Sequence, residues 1–537
     1  MTAGNRTFKN VLLQVYLSAG LLTLAACGGG GGGGTGGGGT GGTGGTGGTG
    51  GTVTYTPGVF PAYTGLANLC ASPRSGSSPV TGRAYPDKPG SIAAENSWLR
   101  SWTNDTYLWY REVPDLDPRS YASTEQYFDL LRTSQVTVTG TPKDKFHFTY
   151  PTADWEALSQ SGVSAGYGAQ WFLVAASPPR EIRVAYVEPN SPAAAQGVQR
   201  GDEVLQVDGA DAVSGNDFNT LNAGLFPEGT GQMHRFLLRS VTGTQRTVSM
   251  TSASITSVPV QNAYVINPTT DRVGYLLFND HIATAESQLI NAINALKTAG
   301  ATDLVLDLRY NGGGYLDIAS ELAFMIAGPS RTNAKTFERL AFNDKYPNTD
   351  PVTGRALTPI PFHTTTQGFS ADTGAALPTL DFGRVYVLTG SGTCSASESI
   401  INSLRGVDVE VIQIGGTTCG KPYGFYPAPN CGTTYFTIQF KGVNAKTFGD
   451  YSDGFSPLNV VGAAGEKIPG CSVRDDFSRP LGDINEARLA AALQYRANGT
   501  CPTAPSGPVA LGKTQFGESP DEGFMVRSPL RENRILR

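Results

Sequence analysis

Histidine is scarce in this 537-residue chain, at four residues: His147, His234, His281 and His363. None carries an HExxH pattern and no two cysteines are spaced CxxC, so no recognisable zinc site is present. No glycine-rich loop of the Walker or GxGxxG type joins a predicted strand to a helix, which removes the support for nucleotide binding. Charged residues are only 16% of the chain, the net charge is -5 and no basic stripe occurs, against nucleic acid as a partner. The apolar run Val11–Leu24 is too short for an ordinary membrane-spanning helix.

What is present begins with that run. Arg6 and Lys9 precede it and Leu24-Ala25-Ala26-Cys27 closes it, as in a targeting signal. The closing tetrapeptide resembles the lipobox of bacterial lipoproteins. The resemblance implies cleavage before Cys27 and a lipid anchor on its thiol, and Gly28, where aspartate is absent, implies the outer membrane, facing the periplasm or the cell surface. Gly28 to Thr52 is nearly pure Gly and Thr, a composition that behaves as a flexible tether and supplies many of the 68 glycines. Six cysteines remain beyond Cys27, an even number that permits three disulfides in an exported protein. Cys419 is expected to pair with Cys394 or with Cys431.

The remainder divides by pattern into an N-terminal helical region at 57–162, a β-rich segment at 163–255, a core at 256–505 and a disordered tail at 506–537, after a signal at 1–27 and a linker at 28–56. In the helical region Trp98, Leu99, Trp102, Tyr107, Trp109 and Tyr110 crowd together, read as a small cap packed by its own aromatics. In the core, strands at Val273–Phe278, Asp303–Leu308, Val385–Leu388 and Val409–Ile414 alternate with helices at Thr284–Ala299, Tyr315–Ala327 and Ala396–Arg405. That alternation implies an α/β fold with a parallel or mixed sheet. Residues 331–382 form a long, proline-bearing excursion.

Three short stretches carry chemistry. Thr393-Cys394-Ser395-Ala396-Ser397-Glu398 follows a strand and opens a helix. Ser395-x-x-Glu398 by itself reads first as a capping box, since helix starts are far commoner than nucleophiles, and second as a nucleophile whose neighbouring N–H groups, at Ala396 and Ser397, would hold an oxyanion. Asp307 to Gly314 runs from a strand into Gly312-Gly313-Gly314, whose backbone N–H groups no side chain shields. Gly415 to Phe425 places Lys421 among small residues and aromatics; as a base it needs its pKa lowered from about 10.4 to about 7–8. Ser395 is not framed by Gly-x-Ser-x-Gly and no histidine follows it, so the serine–histidine reading rests on His281 alone, just after a core strand.

Together these stretches resemble the carboxy-terminal processing (tail-specific) serine peptidases. The resemblance implies a Clp protease/crotonase-like peptidase core in which Ser395 is the nucleophile, Lys421 its general base, and Gly312, Gly313 and Ala396 supply the oxyanion hole. No cofactor or metal is implied. Asn190-Ser191-Pro192-Ala193-Ala194, Arg200-Gly201-Asp202 and Val204 to Gly209 resemble a PDZ domain, with Gly166-Tyr167-Gly168-Ala169 as its carboxylate-binding loop. The expected partners are proteins or peptides, held in part by free C-termini. Many family members have glutamine four residues after the lysine, where this chain has Phe425, so the group that orients Lys421 is open between Glu398 and Tyr423. The alternative is a catalytically inactive peptide-binding lipoprotein.

If Cys27 carries lipid, Cys27→Ser gives a soluble or unprocessed protein. Fractionation of the envelope with the variant still processed and membrane-bound would refute the anchor.

Overall fold

The computed structural model describes residues 53–137, 139–267, 271–463, 465–502, 524–526 and 534–535. Cys27 and the glycine tether lie outside the described residues.

The N-terminal region is built on helix α1 (Ile92–Thr106), capped by Ser91, and helix α2 (Thr124–Leu130), capped by Ser123. Trp98 and Trp102 stack at 5.2 Å, and Phe128 meets the Tyr435 ring edge-on at 5.0 Å. Tyr435 belongs to the strand Thr433–Phe436, which pairs with Phe148–Pro151. The region is therefore not packed by its own aromatics alone. It shares a core with the segment after Lys421, and the Cys70–Cys431 disulfide ties the two together.

The 163–255 segment is a sheet module of strands β1 (Ala169–Ala175), β2 (Glu181–Val187), β3 (Glu203–Val207), β4 (Met233–Arg239) and β5 (Gln245–Thr251). Its interior is Trp171, Leu173, Val184, Val204, Phe236 and Leu238, the inward positions of alternating strands.

The core comprises β6 (Val260–Ile266), β7 (Val273–Phe278), α3 (Ala285–Thr298), β8 (Asp303–Asp307), β9 (Gly314–Tyr315), α4 (Leu316–Ala327), β10 (Arg384–Thr389), α5 (Ala396–Gly406), β11 (Glu410–Gly415), β12 (Tyr423–Gly424), β13 (Gly470–Ser472) and α6 (Ala487–Asn498). Its main sheet has the order β6-β7-β8-β10-β11-β13, with β6 antiparallel to β7 and the other neighbours parallel. Parallel strands buried on both faces read as continuous apolar runs, which is why Val-Gly-Tyr-Leu-Leu-Phe and Arg-Val-Tyr-Val-Leu-Thr form β7 and β10. Leu276, Leu304, Leu306, Val385 and Val387 meet α3, α4 and α5 on one face. Tyr275, Leu277, Val305, Tyr386 and Ile412 meet α6 on the other, together with Phe172, Ala185 and Tyr186 of the module.

A buried ionic cluster joins the module to the core. Arg309 binds Glu486 through two 2.8 Å bonds and Asp475 at 2.9 Å, while Arg200 of the module donates to Asp475 at 2.6 Å and to the Tyr310 hydroxyl at 2.5 Å. Burial alone would raise the Asp475 carboxyl, but Arg200, Arg488 and Arg309 hold it well below the usual carboxylate range.

Two further segments carry ordered structure. The excursion at 331–382 carries strand Thr336–Ala341 and is gathered around one carboxylate. Glu286 accepts from the N–H groups of Gln367, Gly368, Phe369, Ser370 and Ala371 at 2.7–3.0 Å. The segment read as a disordered tail contains two paired strands, β14 (Phe524–Val526) and β15 (Arg534–Ile535). β14 extends the module sheet to the order β5-β4-β3-β2-β1-β14, and β15 pairs with β9.

Glu321 lies beside Glu286, and burial followed by that neighbouring charge pushes its carboxyl up to about 9. Its folded value exceeds the unfolded value of about 4.3, so its contribution is full below pH ~4.3 and is lost as pH rises through about 9. Thermal unfolding from pH 5 to 9.5 is expected to show the wild-type midpoint falling with pH, and Glu321→Gln flattening that fall. A parallel fall in both proteins would refute the assignment.

Candidate active site

Register places the site. Asp307 of β8 is level with Leu388 of β10, and Leu388 with Ile414 of β11, so the three strands end together. The loops Leu308–Gly314, Gly390–Ser395 and Gly416–Lys421 leave from this single edge, where open α/β sheets place their ligands. Hydrogen bonds join the loops. Thr393 Oγ1 donates to the Leu308 carbonyl at 2.8 Å, Cys394 N–H to the Asn311 carbonyl at 3.1 Å, and Cys419 N–H to the Thr393 carbonyl at 3.0 Å. The Cys394–Cys419 disulfide, with Cα atoms 5.2 Å apart, links the serine loop to the lysine loop. Of the two expected partners of Cys419, Cys394 is the one used; Cys431 is committed to Cys70. Cys471 pairs with Cys501. Cys394, Cys419 and Glu398 cluster closely, but both sulfurs are in the disulfide and leave no thiolate to bind a metal.

Ser395 stands at the start of α5 with φ 58°, outside the regions that a non-glycine residue ordinarily occupies. Strained backbone of this kind costs about 1–3 kcal/mol and persists where the surroundings over-determine it. Half of the predicted capping box is made: Ser395 N–H donates to Glu398 Oε2 at 2.9 Å. In the other half Ser395 Oγ faces the helix start in box fashion but reaches no hydrogen-bond geometry, and the hydroxyl is buried without a partner. A plain N-cap would spend that oxygen on the helix.

Glu398 does more than cap. Oε2 also accepts from Lys421 N–H at 2.8 Å, and Oε1 accepts from Gly420 N–H at 2.9 Å and Thr418 Oγ1 at 2.5 Å. The carboxylate therefore fixes the backbone of both the serine and the lysine. Burial pushes it above the usual carboxylate range, while these donors pull the other way. Gly420 permits the arrangement: its φ is 78°, and a Cβ there would lie 2.2 Å from the Ser452 carbonyl oxygen.

Lys421 is fully buried, and its Nζ lies 4.6 Å from the ring centre of Phe146 and 4.8 Å from that of Phe425. Phe425, at the glutamine position, is thus a wall of the lysine's slot. Phe146 is a second wall and comes from the N-terminal region. Sequence reasoning missed it, because one phenylalanine among 24 carries no signal of its own. Tyr423 stacks edge-on against Trp109 at 4.9 Å and lines a cleft with Glu112, Lys143, Asp450 and Asp453; burial pushes its hydroxyl up to about 12.

In the glycine loop, Gly313 N–H donates to Asn311 Oδ1 at 3.0 Å and Ser397 N–H donates to the Cys394 carbonyl at 3.1 Å. These N–H groups differ from the expected oxyanion set in being already engaged. Ala396 N–H, the first of the helix, has no carbonyl one turn behind it, and Gly312 N–H has no intramolecular acceptor among the described residues. Asn311, not singled out from sequence, organises the loop: its carbonyl also accepts from Ser397 Oγ at 3.0 Å, and its side chain donates to the Phe278 carbonyl.

His281 packs under the same loop. Its Nδ1 donates to Asn311 Oδ1 at 2.9 Å, which fixes the tautomer, its Nε2 is buried without a partner, and burial holds its pKa down at about 3. It makes no hydrogen bond with Ser395. His147 is likewise a buried neutral ring, held at about 4, bonded to Phe128 and Thr437. His234 and His363 pair with Asp208 and Asp317. Of the predicted carboxylate loop, Tyr167 is buried in the module core and its carbonyl accepts from Ala193 at 2.9 Å, Gly168 O accepts from Glu188 at 2.7 Å, and Gly166 and Ala169 end and begin the flanking strands.

Comparison with known proteins bears on this edge. A carboxyl-terminal-processing protease of Picosynechococcus sp. is 28% identical over 273 residues, covering 49% of this chain and 56% of that protein. One from Synechocystis sp. is 25% identical over 231 residues, covering 43% and 47%. The chain thus spans about half the length of these curated relatives. A crystal structure from Bacteroides fragilis ascribed to the S41 proteases superposes with a TM-score of 0.55 at 25% identity, over 78% of this chain and 98% of that one. Residues 272–425 match the model of peptidase family S41, and residues 94–149 match that of the peptidase S41 N-terminal domain. The stretch that carries the glycine loop, Ser395 and Lys421 is therefore similar to peptidase family S41, and the region that supplies Phe146 is similar to the S41 N-terminal domain.

Proposed function

We propose that the chain is a serine endopeptidase with Ser395 as nucleophile and Lys421 as general base. The observation that carries the reading is the buried, unpartnered Ser395 hydroxyl at a strained helix start, with the backbones of Ser395 and Lys421 bound to the same oxygen of Glu398. Lys421 Nζ takes the Ser395 proton as Oγ attacks the scissile carbonyl carbon. The oxyanion is held by Ala396 N–H and Gly312 N–H, joined by Gly313 N–H if Asn311 releases it. Collapse expels the amine, which leaves with the proton from Lys421. Water, deprotonated by Lys421, then attacks the acyl ester, and Lys421 returns that proton to Ser395 Oγ as it leaves, freeing the product acid.

Protein or peptide substrates follow from the S41 match. Strand β1 and the loop before it support a PDZ-type module that holds an extended peptide by strand addition. The sequence signal at Cys27 supports a lipid-anchored enzyme of the outer membrane. The inactive peptide-binding alternative draws on Phe425, and the same test decides it.

Cleavage of an unfolded protein is the measurement. Ser395→Ala is expected to abolish it, and Lys421→Arg to reduce it nearly as far, because guanidinium does not give up its proton near neutral pH. Retention of most activity by Lys421→Arg, with loss in His281→Ala, would replace the lysine with the histidine. Lack of cleavage by the wild type would favour the inactive reading.

A further inference from the structure

Two strands late in the chain are paired to sheet edges of the module and the core. Strand β14 pairs antiparallel with β1, in the register Phe524↔Leu173, Met525↔Phe172 and Val526↔Trp171. β1 is the outermost of the module's own strands, so β14 fills a sheet edge that would otherwise be open. β14 runs toward the Gly166–Ala169 loop, and β15 follows it in the chain, so the edge holds an internal stretch.

Eight residues further on, β15 pairs in parallel with β9, in the register Gly314↔Arg534 and Tyr315↔Ile535. The other side of β9 is already taken: His281 N–H donates to the Gly313 carbonyl at 3.2 Å, and Tyr315 N–H to the His281 carbonyl at 2.9 Å. Gly314, with φ 139°, has no room for a side chain, since a Cβ would stand 2.4 Å from the His281 carbonyl oxygen. β15 therefore pairs with β9 on the side not taken by His281, and it also lies against β12, just after Lys421. Ser395 and Lys421 are fully buried in this arrangement.

We propose that strands β14 and β15 are occupants, held in cis, of a two-part peptide channel formed by the β1 edge and the β9 edge, and that they compete with substrate for both. Both contacts are main-chain pairings, so the channel accepts extended peptide with little dependence on side chains at the paired positions. Covalent attachment gives these strands a high effective concentration at their sites, which a free substrate must overcome. The assignment of the β9 edge as a substrate site rests on the peptidase reading above.

The test uses the Ser395→Ala chain, so that nothing is consumed, and a fluorescent peptide of sequence 520–537. Binding is compared between the full chain and a chain stopped after residue 522, with circular dichroism to verify folding. The peptide is expected to bind the shortened chain at least tenfold more tightly than the full chain. Met525→Pro with Ile535→Pro in the full chain, which disfavours both pairings without truncation, is expected to move binding toward the shortened-chain value. Equal binding to full and shortened chains, or none to the shortened chain, would overturn the proposal. A parallel assay with Ser395 intact separates the two readings. Selective peptide binding without cleavage by either chain retains the cis occupant and rejects the peptidase. Cleavage by the shortened chain without peptide binding does the reverse. With both in force, removing the segment lowers KM for an unfolded protein and leaves kcat unchanged.

Discussion

The site depends on one buried carboxylate. Glu398 accepts from the N–H groups of Ser395, Gly420 and Lys421 and from the Thr418 hydroxyl. A protonated carboxyl would have to turn one oxygen into a donor, so the four bonds are best satisfied by the ionised form. Hydrogen bonds to a charged group contribute about 1.5–3 kcal/mol each, against the cost of desolvating the charge. The result is a clip: a residue on a helix fixes its own N-cap and a loop more than 20 positions later in the chain.

The other features position that clip. Level strand ends put the three loops on one edge, and the Cys394–Cys419 disulfide bounds how far the serine and lysine loops can part. Phe146 makes the N-terminal region a wall of the lysine slot, and the aromatic cluster around Trp98, Trp102 and Phe128 packs on Tyr435 of the segment after Lys421. The Arg200–Asp475–Arg309 cluster binds the sheet module to the root of the glycine loop.

The core elements were legible because their patterns are local. The helix over Thr284–Ala299 shows its apolar stripe at Leu289, Ile293 and Leu296, and β7 is a run of apolar residues bounded by polar ones; both form within a residue of expectation. The three chemical loops were legible because glycine, serine and lysine follow strand ends. What the sequence withheld is long-range. Whether Cys419 chose Cys394 or Cys431 depends on loops brought together by the sheet. Phe146 reaches Lys421 across 275 positions, and Gly313 N–H is spent on Asn311, two residues away but in a turn that no pattern announces. The late segment was read as disordered because it is rich in Pro, Gly and charge. Strand pairing to an edge supplies hydrogen bonds that composition does not reveal.

The clip is tested most directly by the rate at which a fluorophosphonate labels Ser395 in the wild type and in Glu398→Gln. Glutamine keeps one acceptor oxygen but presents an NH₂ to donors on the other side, so bonds to the Ser395 and Lys421 loops are lost while the helix remains. Misplacement of reacting groups by about 1 Å costs about 10²-fold. Labelling about 100-fold slower in Glu398→Gln, with unchanged circular dichroism, is the predicted result. Equal labelling of the two proteins, or none of the wild type, would contradict the account.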